Sequence, residues 1–71
     1  AGLAQVEAIE IIERKQGLDS LSDELKEVAI LRRENPDMSL KQLGETLKVP
    51  ISRSGVNHRL KKIMEIADKY R

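Results

Sequence analysis

The near absence of aromatic side chains constrains the fold of this chain more than any other feature. Its 71 residues include no Phe, no Trp and one Tyr. A core must therefore be assembled from Leu, Ile, Val, Ala and Met, in a chain long enough for one small domain. Apolar residues do not alternate over any useful length, so short helices packed on one another are the expected solution. We predict a single all-α domain over residues 1–71.

Several functional classes find no support in the sequence. Cysteine is absent and His58 is the one histidine, so neither a disulfide framework nor a thiolate metal site is expected. No serine or cysteine nucleophile pairs with His58 in a recognisable pattern, and we predict no enzyme activity, catalytic residue, cofactor or metal. No apolar run approaches the roughly 18 residues of a membrane span. Lack of cysteine fits a cytoplasmic protein, and a start without Met suggests a domain excised from a longer chain.

Apolar spacing and helix-ending residues predict four helices with short connections. The first covers residues 3–15, with Leu3, Val6, Ile9 and Ile12 near one face, and ends at Gly17. The second runs from a cap at Ser20 or Ser22 to about Arg33, where Asn35-Pro36 ends it. The third covers residues 40–47, and the fourth about 52–69.

The last two helices form a predicted helix-turn-helix. Ser39 and Gln42 have the spacing of a capping box at the start of the short third helix. Gly44 lies in the middle of that helix, where glycine costs about 1 kcal/mol relative to alanine, so we expect the fourth helix to cross closely over it. Residues 48–51 form the turn, in which Val49 and Ile51 are expected to fill the corner between the helices.

The fourth helix has an apolar face and an outer face of different character. Val56, Leu60, Ile63 and Ala67 recur at spacings of 4, 3 and 4, which predicts a buried stripe. At about 100° per residue the opposite face holds Ser54, His58, Lys61 and Glu65, flanked by Asn57 and Lys62. Residues 52–62 contain four Lys or Arg and no acid. Such a helix, braced by a shorter one, is typical of proteins that enter the major groove of DNA.

Charge is divided unequally along the chain. Residues 1–40 carry five Lys/Arg and nine Asp/Glu, whereas residues 41–71 carry eight and three. One surface for a polyanion is therefore indicated, and double-stranded DNA is the predicted partner. Ser54, Asn57, His58 and Lys61 are the candidate contacts to base edges, and Arg53, Arg59, Lys62 and Lys41 the candidate contacts to phosphates. Each has a simpler explanation as polar surface, and a protein-binding helical module is the alternative function.

Two segments carry a resemblance to a known family. Residues 39–45, Ser-Leu-Lys-Gln-Leu-Gly-Glu, and residues 50–60, Pro-Ile-Ser-Arg-Ser-Gly-Val-Asn-His-Arg-Leu, closely resemble the C-terminal helix-turn-helix domain of the WhiA family of bacterial transcriptional regulators. The similarity covers nearly the whole chain. The chain departs from the family pattern at Ser22, where many members have proline, and at Lys48-Val49. Its turn is also about two residues longer than in a minimal helix-turn-helix.

The resemblance implies a fold like region 4 of sigma factors and a recognition helix whose DNA-contacting residues are Ser54, Asn57, His58, Arg59 and Lys61. It also implies a parent protein with an N-terminal domain similar to LAGLIDADG homing endonucleases that lacks cleavage. Such proteins act in sporulation, cell division or chromosome segregation. A nucleoid-associated location and contact with a sigma factor or RNA polymerase are the corresponding expectations.

Overall fold

Four α-helices make up the domain. The computed structural model describes residues 3–70, in which α1 spans Leu3–Lys15, α2 Asp23–Glu34, α3 Leu40–Thr46 and α4 Arg53–Asp68. A single turn of 3₁₀ helix, Leu18–Ser20, lies between α1 and α2, where a plain link was expected. The described residues form no strand. The prediction of a small all-α domain of four helices is confirmed.

The last helix is the centre of the fold. α4 packs against α1, α2 and α3, and α1 also packs against α2. The predicted stripe of α4 is buried in full, and the largest fully buried side chains are Ile9, Ile12, Val28, Leu43, Val56, Leu60 and Ile63. Aliphatic side chains thus form the core, as the composition requires. Because three helices cover one side of α4, its orientation is fixed while its other side faces solvent.

Local signals at the helix ends operate as predicted. Gly17 has a φ of 78°, a left-handed conformation that favours glycine, and its N–H donates to the Ile12 carbonyl at 3.0 Å. Ser22, rather than Ser20, caps α2. Ser39 and Gln42 form the reciprocal capping box, with both hydrogen bonds at 3.1 Å. These ends set the lengths of the helices that carry α4.

Two apolar side chains that were expected to be buried are exposed. Leu3 is 78% exposed and Val49 is 74% exposed. Leu3 is the first residue of α1, and the buried residues of that helix begin at Ala8, so the first turn is not covered. Leu47, which is buried, and Ile51, which packs against the core, fill the corner between α3 and α4 in place of Val49.

Candidate nucleic-acid interface

The outer face of α4 carries most of the polar residues that were predicted from the sequence as DNA contacts. Val56, Leu60 and Ile63 turn inward and are essentially inaccessible to solvent. The exposed residues of the same helix between its start and its middle are Arg53, Ser54, Asn57, His58, Lys61 and Lys62. They present hydroxyl, amide, imidazole and cationic groups, which are the side chains that bind base edges and phosphates. The structure therefore brings six of the eight candidate residues onto one helix surface.

The start of α4 is built to receive a negative charge. Ser52 caps the helix by accepting a hydrogen bond from the Gly55 N–H at 3.2 Å. The first turn has no acidic residue, and the first acid of the helix is Glu65. The unpaired backbone N–H groups and the dipole of a helix make its N-terminus attractive to phosphate. Arg53 adds a full charge at the same end.

Arg59 is placed differently from the other candidates. Its side chain is 22% exposed, and its guanidinium lies 3.7 Å from a carboxylate oxygen of Glu24 on α2. His58 and Lys62 border the same open groove between α2 and α4, which has a volume of about 460 Å³. Arg59 thus lies at the edge of the candidate surface and also contacts α2 through Glu24. An ion pair this exposed on one side contributes at most about 1 kcal/mol.

Lys41 comes from the bracing helix. It is exposed in the first turn of α3, between Ser39 and Gln42 of the capping box. In helix-turn-helix proteins the bracing helix crosses the DNA backbone, so a cation at this point is suited to phosphate. Lys41 thereby adds a cation from a second element to those on α4.

The connection between α3 and α4 is longer than the three or four residues of a standard helix-turn-helix. Six residues, 47–52, separate the two helices. The Lys48 N–H donates to the carboxylate of Glu27 on α2 at 2.9 Å, and the Ile51 N–H donates to the Gly44 carbonyl at 3.2 Å. The turn is therefore anchored on both α2 and α3, which defines the angle between the two helices despite the extra length.

Gly44 is closely packed against both α4 and the turn, and only the contact with α4 was predicted from the sequence. A Cβ at Gly44 would overlap the carbonyl oxygen of Ile51 and would lie 3.2 Å from Cγ2 of Val56. The crossing of α4 over Gly44 was predicted, and Val56 is the α4 residue that packs against this glycine. The tighter contact is with the backbone of the turn.

Sequence reasoning missed Arg32, which orders the loop between α2 and α3. The residue is buried, with a relative exposure of 3%. One guanidinium nitrogen donates to the carbonyls of Pro36 at 3.0 Å and Met38 at 2.7 Å, and more weakly to that of Asn35 at 3.4 Å. Burial lowers the pKa of Arg32, yet an arginine remains protonated in proteins. An arginine one turn before a proline loop, where carbonyls lack partners, was the available signal.

Residues 3–70 contain neither a metal-binding cluster nor a membrane-spanning helix. No cluster of three or more His, Asp or Glu side chains has the arrangement of a metal site. No helix in this range has the length and apolar character needed to cross a bilayer.

Comparisons with known proteins agree with the fold and identify the family. The family profile described as the WhiA C-terminal HTH domain matches residues 1–67. The chain belongs to this family. The resemblance predicted from residues 39–45 and 50–60 is thereby confirmed.

Relatives and a solved structure extend this WhiA assignment. The "Probable cell division protein WhiA" of Staphylococcus haemolyticus (strain JCSC1435) is 56% identical over 72 residues, covering 100% of this chain and 23% of that protein. The protein of the same name from Lachnospira eligens is 58% identical over 71 residues, covering 100% and 22%. The crystal structure of full-length DUF199/WhiA from Thermatoga maritima superposes with a TM-score of 0.88 at 35% identity, covering 96% of this chain and 23% of that one.

The chain thus spans less than a quarter of the length of these WhiA proteins. They carry further sequence outside the helix-turn-helix domain, in keeping with the expected parent protein. The comparisons do not test individual contact residues, so the eight candidates on α3 and α4 stay predictions.

Proposed function

We propose that this domain binds double-stranded DNA in a sequence-specific manner, with α4 in the major groove and α3 bracing it. The observation that carries the proposal is the acid-free, exposed polar face of α4 from Arg53 to Lys62. A buried stripe on the opposite side of the same helix fixes the direction in which this face points. A capped N-terminus and the cation of Lys41 lie on the elements that approach the backbone in proteins of this architecture.

The proposed contacts divide by chemistry. Ser54, Asn57, His58 and Lys61 lie on the outer face and contact base edges, for which the Asn amide is suited to adenine and Lys to guanine. Arg53, Lys62 and Lys41 contact phosphates. Arg59 contacts a phosphate from the flank of the helix, where it also meets Glu24. The domain acts by binding and without catalysis.

For the parent protein we propose transcriptional regulation in cell division, sporulation or chromosome segregation. The support is the printed name of the relatives, "Probable cell division protein WhiA", and the share of their length that lies outside this domain. An N-terminal domain similar to LAGLIDADG homing endonucleases, and a domain fold similar to sigma region 4, belong to the same proposal.

Charge reversal on α4 tests the proposal. Lys61→Glu with Lys62→Glu places one acid against the base edges and another against a phosphate, and we expect affinity for a duplex to fall by at least about tenfold at 0.1 M salt. The matched control reverses Arg14 and Lys15, which are exposed in the last turn of α1. Both variants change the net charge equally. Equal losses in the two variants would show that overall charge, rather than the surface of α4, governs binding.

Salt dependence provides an independent measurement. Lysines and arginines that neutralise phosphates release counterions, so the logarithm of the affinity falls linearly with the logarithm of salt concentration, by about 0.9 per phosphate contacted. Four phosphate contacts predict a slope of about −3.6. A duplex affinity that stays constant between about 50 and about 300 mM salt would exclude this mode of binding.

A protein-binding module is the second candidate, and one observation favours it. The acids of α1 at Glu7, Glu10 and Glu13 are exposed, and together with Asp23 and Glu24 they give α1 and α2 an acidic surface. A sigma factor or RNA polymerase is the proposed partner of that surface. The Lys61→Glu, Lys62→Glu variant distinguishes the two functions, because it removes duplex binding and leaves a contact through α1 and α2 intact.

A further inference from the structure

Val49 is a large apolar side chain that is exposed in the turn of the helix-turn-helix, beside the exposed Pro50. It is 74% exposed, and the other exposed large apolar side chains among residues 3–70 are Leu3 on α1 and Tyr70 after the end of α4. Val49 therefore lies exposed within the α3–turn–α4 unit itself. A single exposed valine is ordinary on a protein surface, so its significance depends on what surrounds it.

The backbone on both sides of Val49 is fixed. Leu47 is buried, and the Lys48 N–H donates to Glu27 at 2.9 Å. On the other side the Ile51 N–H donates to Gly44, and the Ile51 side chain lies 3.2 Å from the position of a Cβ at Gly55. A β-branched side chain also has restricted χ1 freedom. Val49 is thus presented in one defined position, which lowers the entropy lost when it makes a contact.

Two cations follow the end of α3, one on either side of Val49, while the acids near it are Glu45 on α3 and Glu27, whose carboxylate accepts from the Lys48 N–H. Lys48 precedes Val49 and is exposed, Arg53 follows four residues later at the start of α4, and both carry positive charge. Two residues, Pro50 and Ile51, separate Val49 from Ser52, the cap of the helix. The turn that bears Val49 directly precedes the first turn of α4, which belongs to the surface proposed to contact the duplex. Continuity with the proposed interface at the start of α4, where Arg53 adds a cation, identifies DNA as the occupant.

One group in the major groove is apolar enough to match valine. The C5-methyl of thymine projects into the major groove, and small apolar side chains contact it. We propose that Val49 contacts the methyl group of a thymine beside the bases bound by α4. The turn then contributes to specificity in addition to the helix. This inference rests on the duplex binding proposed above.

The test removes the same contact from each side. A duplex selected by the native chain from a random pool is prepared with each thymine replaced in turn by deoxyuridine, which lacks only the methyl group. We expect one such replacement to weaken native binding about fourfold, the effect of excluding one methyl group from water. Val49→Ala should weaken binding to the thymine duplex by a similar factor. The variant should then bind the thymine duplex and the duplex with that one deoxyuridine with equal affinity.

Leu3→Ala is the matched control, because it truncates an equally exposed apolar side chain on α1. It should bind the thymine duplex like the native chain and keep the native response to deoxyuridine. A Val49→Ala variant with native affinity, or with an undiminished response to every deoxyuridine, would overturn the inference while duplex binding stands. Salt-dependent binding of the native chain to a duplex is measured first, before any variant is made. If the native chain shows no such binding, the proposed function fails as well.

Discussion

At the scale of single residues, two glycines of the helix-turn-helix have different neighbours. A Cβ at Gly44 would overlap the backbone carbonyl oxygen of Ile51, which cannot move without moving the turn. A Cβ at Gly55 would meet the Ile51 side chain, whose nearest atom, Cδ1, would be 3.2 Å away. Backbone and side chain respond differently to the same added methyl group, because a side-chain end can rotate away.

This difference predicts opposite outcomes for two alanine substitutions. Alanine gains up to about 1 kcal/mol over glycine inside a helix, but Gly44→Ala should still lower the free energy of unfolding by about 1–3 kcal/mol because of overpacking. Gly55→Ala should leave it unchanged or raise it. Urea unfolding followed by circular dichroism measures both. Similar stabilities for the two variants would contradict the assignment of the close contact to Gly44.

The sequence allowed the special role of Gly44 to be predicted, since a glycine inside a helix is costly and therefore marks a close approach. The partner of the contact was less accessible. Its identification requires the path of the long turn, and that path depends on the bond from Lys48 to Glu27 on α2, 21 positions away in the chain. Val49 was wrongly predicted to fill the corner for the same reason, because its position depends on the path of the turn.

At the scale of elements, the loop between α2 and α3 depends on a buried cation. Arg32 donates to the carbonyls of Pro36 and Met38, and Met38 directly precedes the Ser39 cap of α3. The loop therefore places the start of the bracing helix. Arginines are mostly exposed, so an arginine at the end of α2 is expected to face solvent. Arg32 is buried because the folded loop places carbonyl groups around its guanidinium. Apolar spacing together with capping and helix-ending residues, by contrast, predicted all four helices.

Replacing Arg32 tests the role of this loop. Arg32→Met keeps an apolar stem but removes the charged donor, so the loop carbonyls lose their partner and the free energy of unfolding should fall by about 2–3 kcal/mol. Arg33→Met is the control, because Arg33 forms only a partly exposed ion pair with Glu13, which contributes about 1 kcal/mol or less. Chemical denaturation of both variants provides the comparison, and equal losses would refute a structural role for Arg32.

At the scale of the whole molecule, the division of charge along the chain becomes a division between elements. The exposed acids Glu7, Glu10 and Glu13 belong to α1, and the cations of residues 53–62 belong to α4. A domain of 29 × 24 × 18 Å can present both surfaces. Charge balance in the sequence was enough to predict a polyanion partner, but the placement of Arg59 beside Glu24 required the packing of α4 on α2.

Mapping the surface that a duplex contacts tests the central claim most directly. In a titration of the ¹⁵N-labelled chain with a selected duplex, backbone amide shifts report which residues meet the DNA. We predict the largest changes at residues 48–62 and at Lys41, with the amides of α1 from Leu3 to Lys15 little affected. Largest changes on α1, with α4 unaffected between Arg53 and Lys62, would contradict the account.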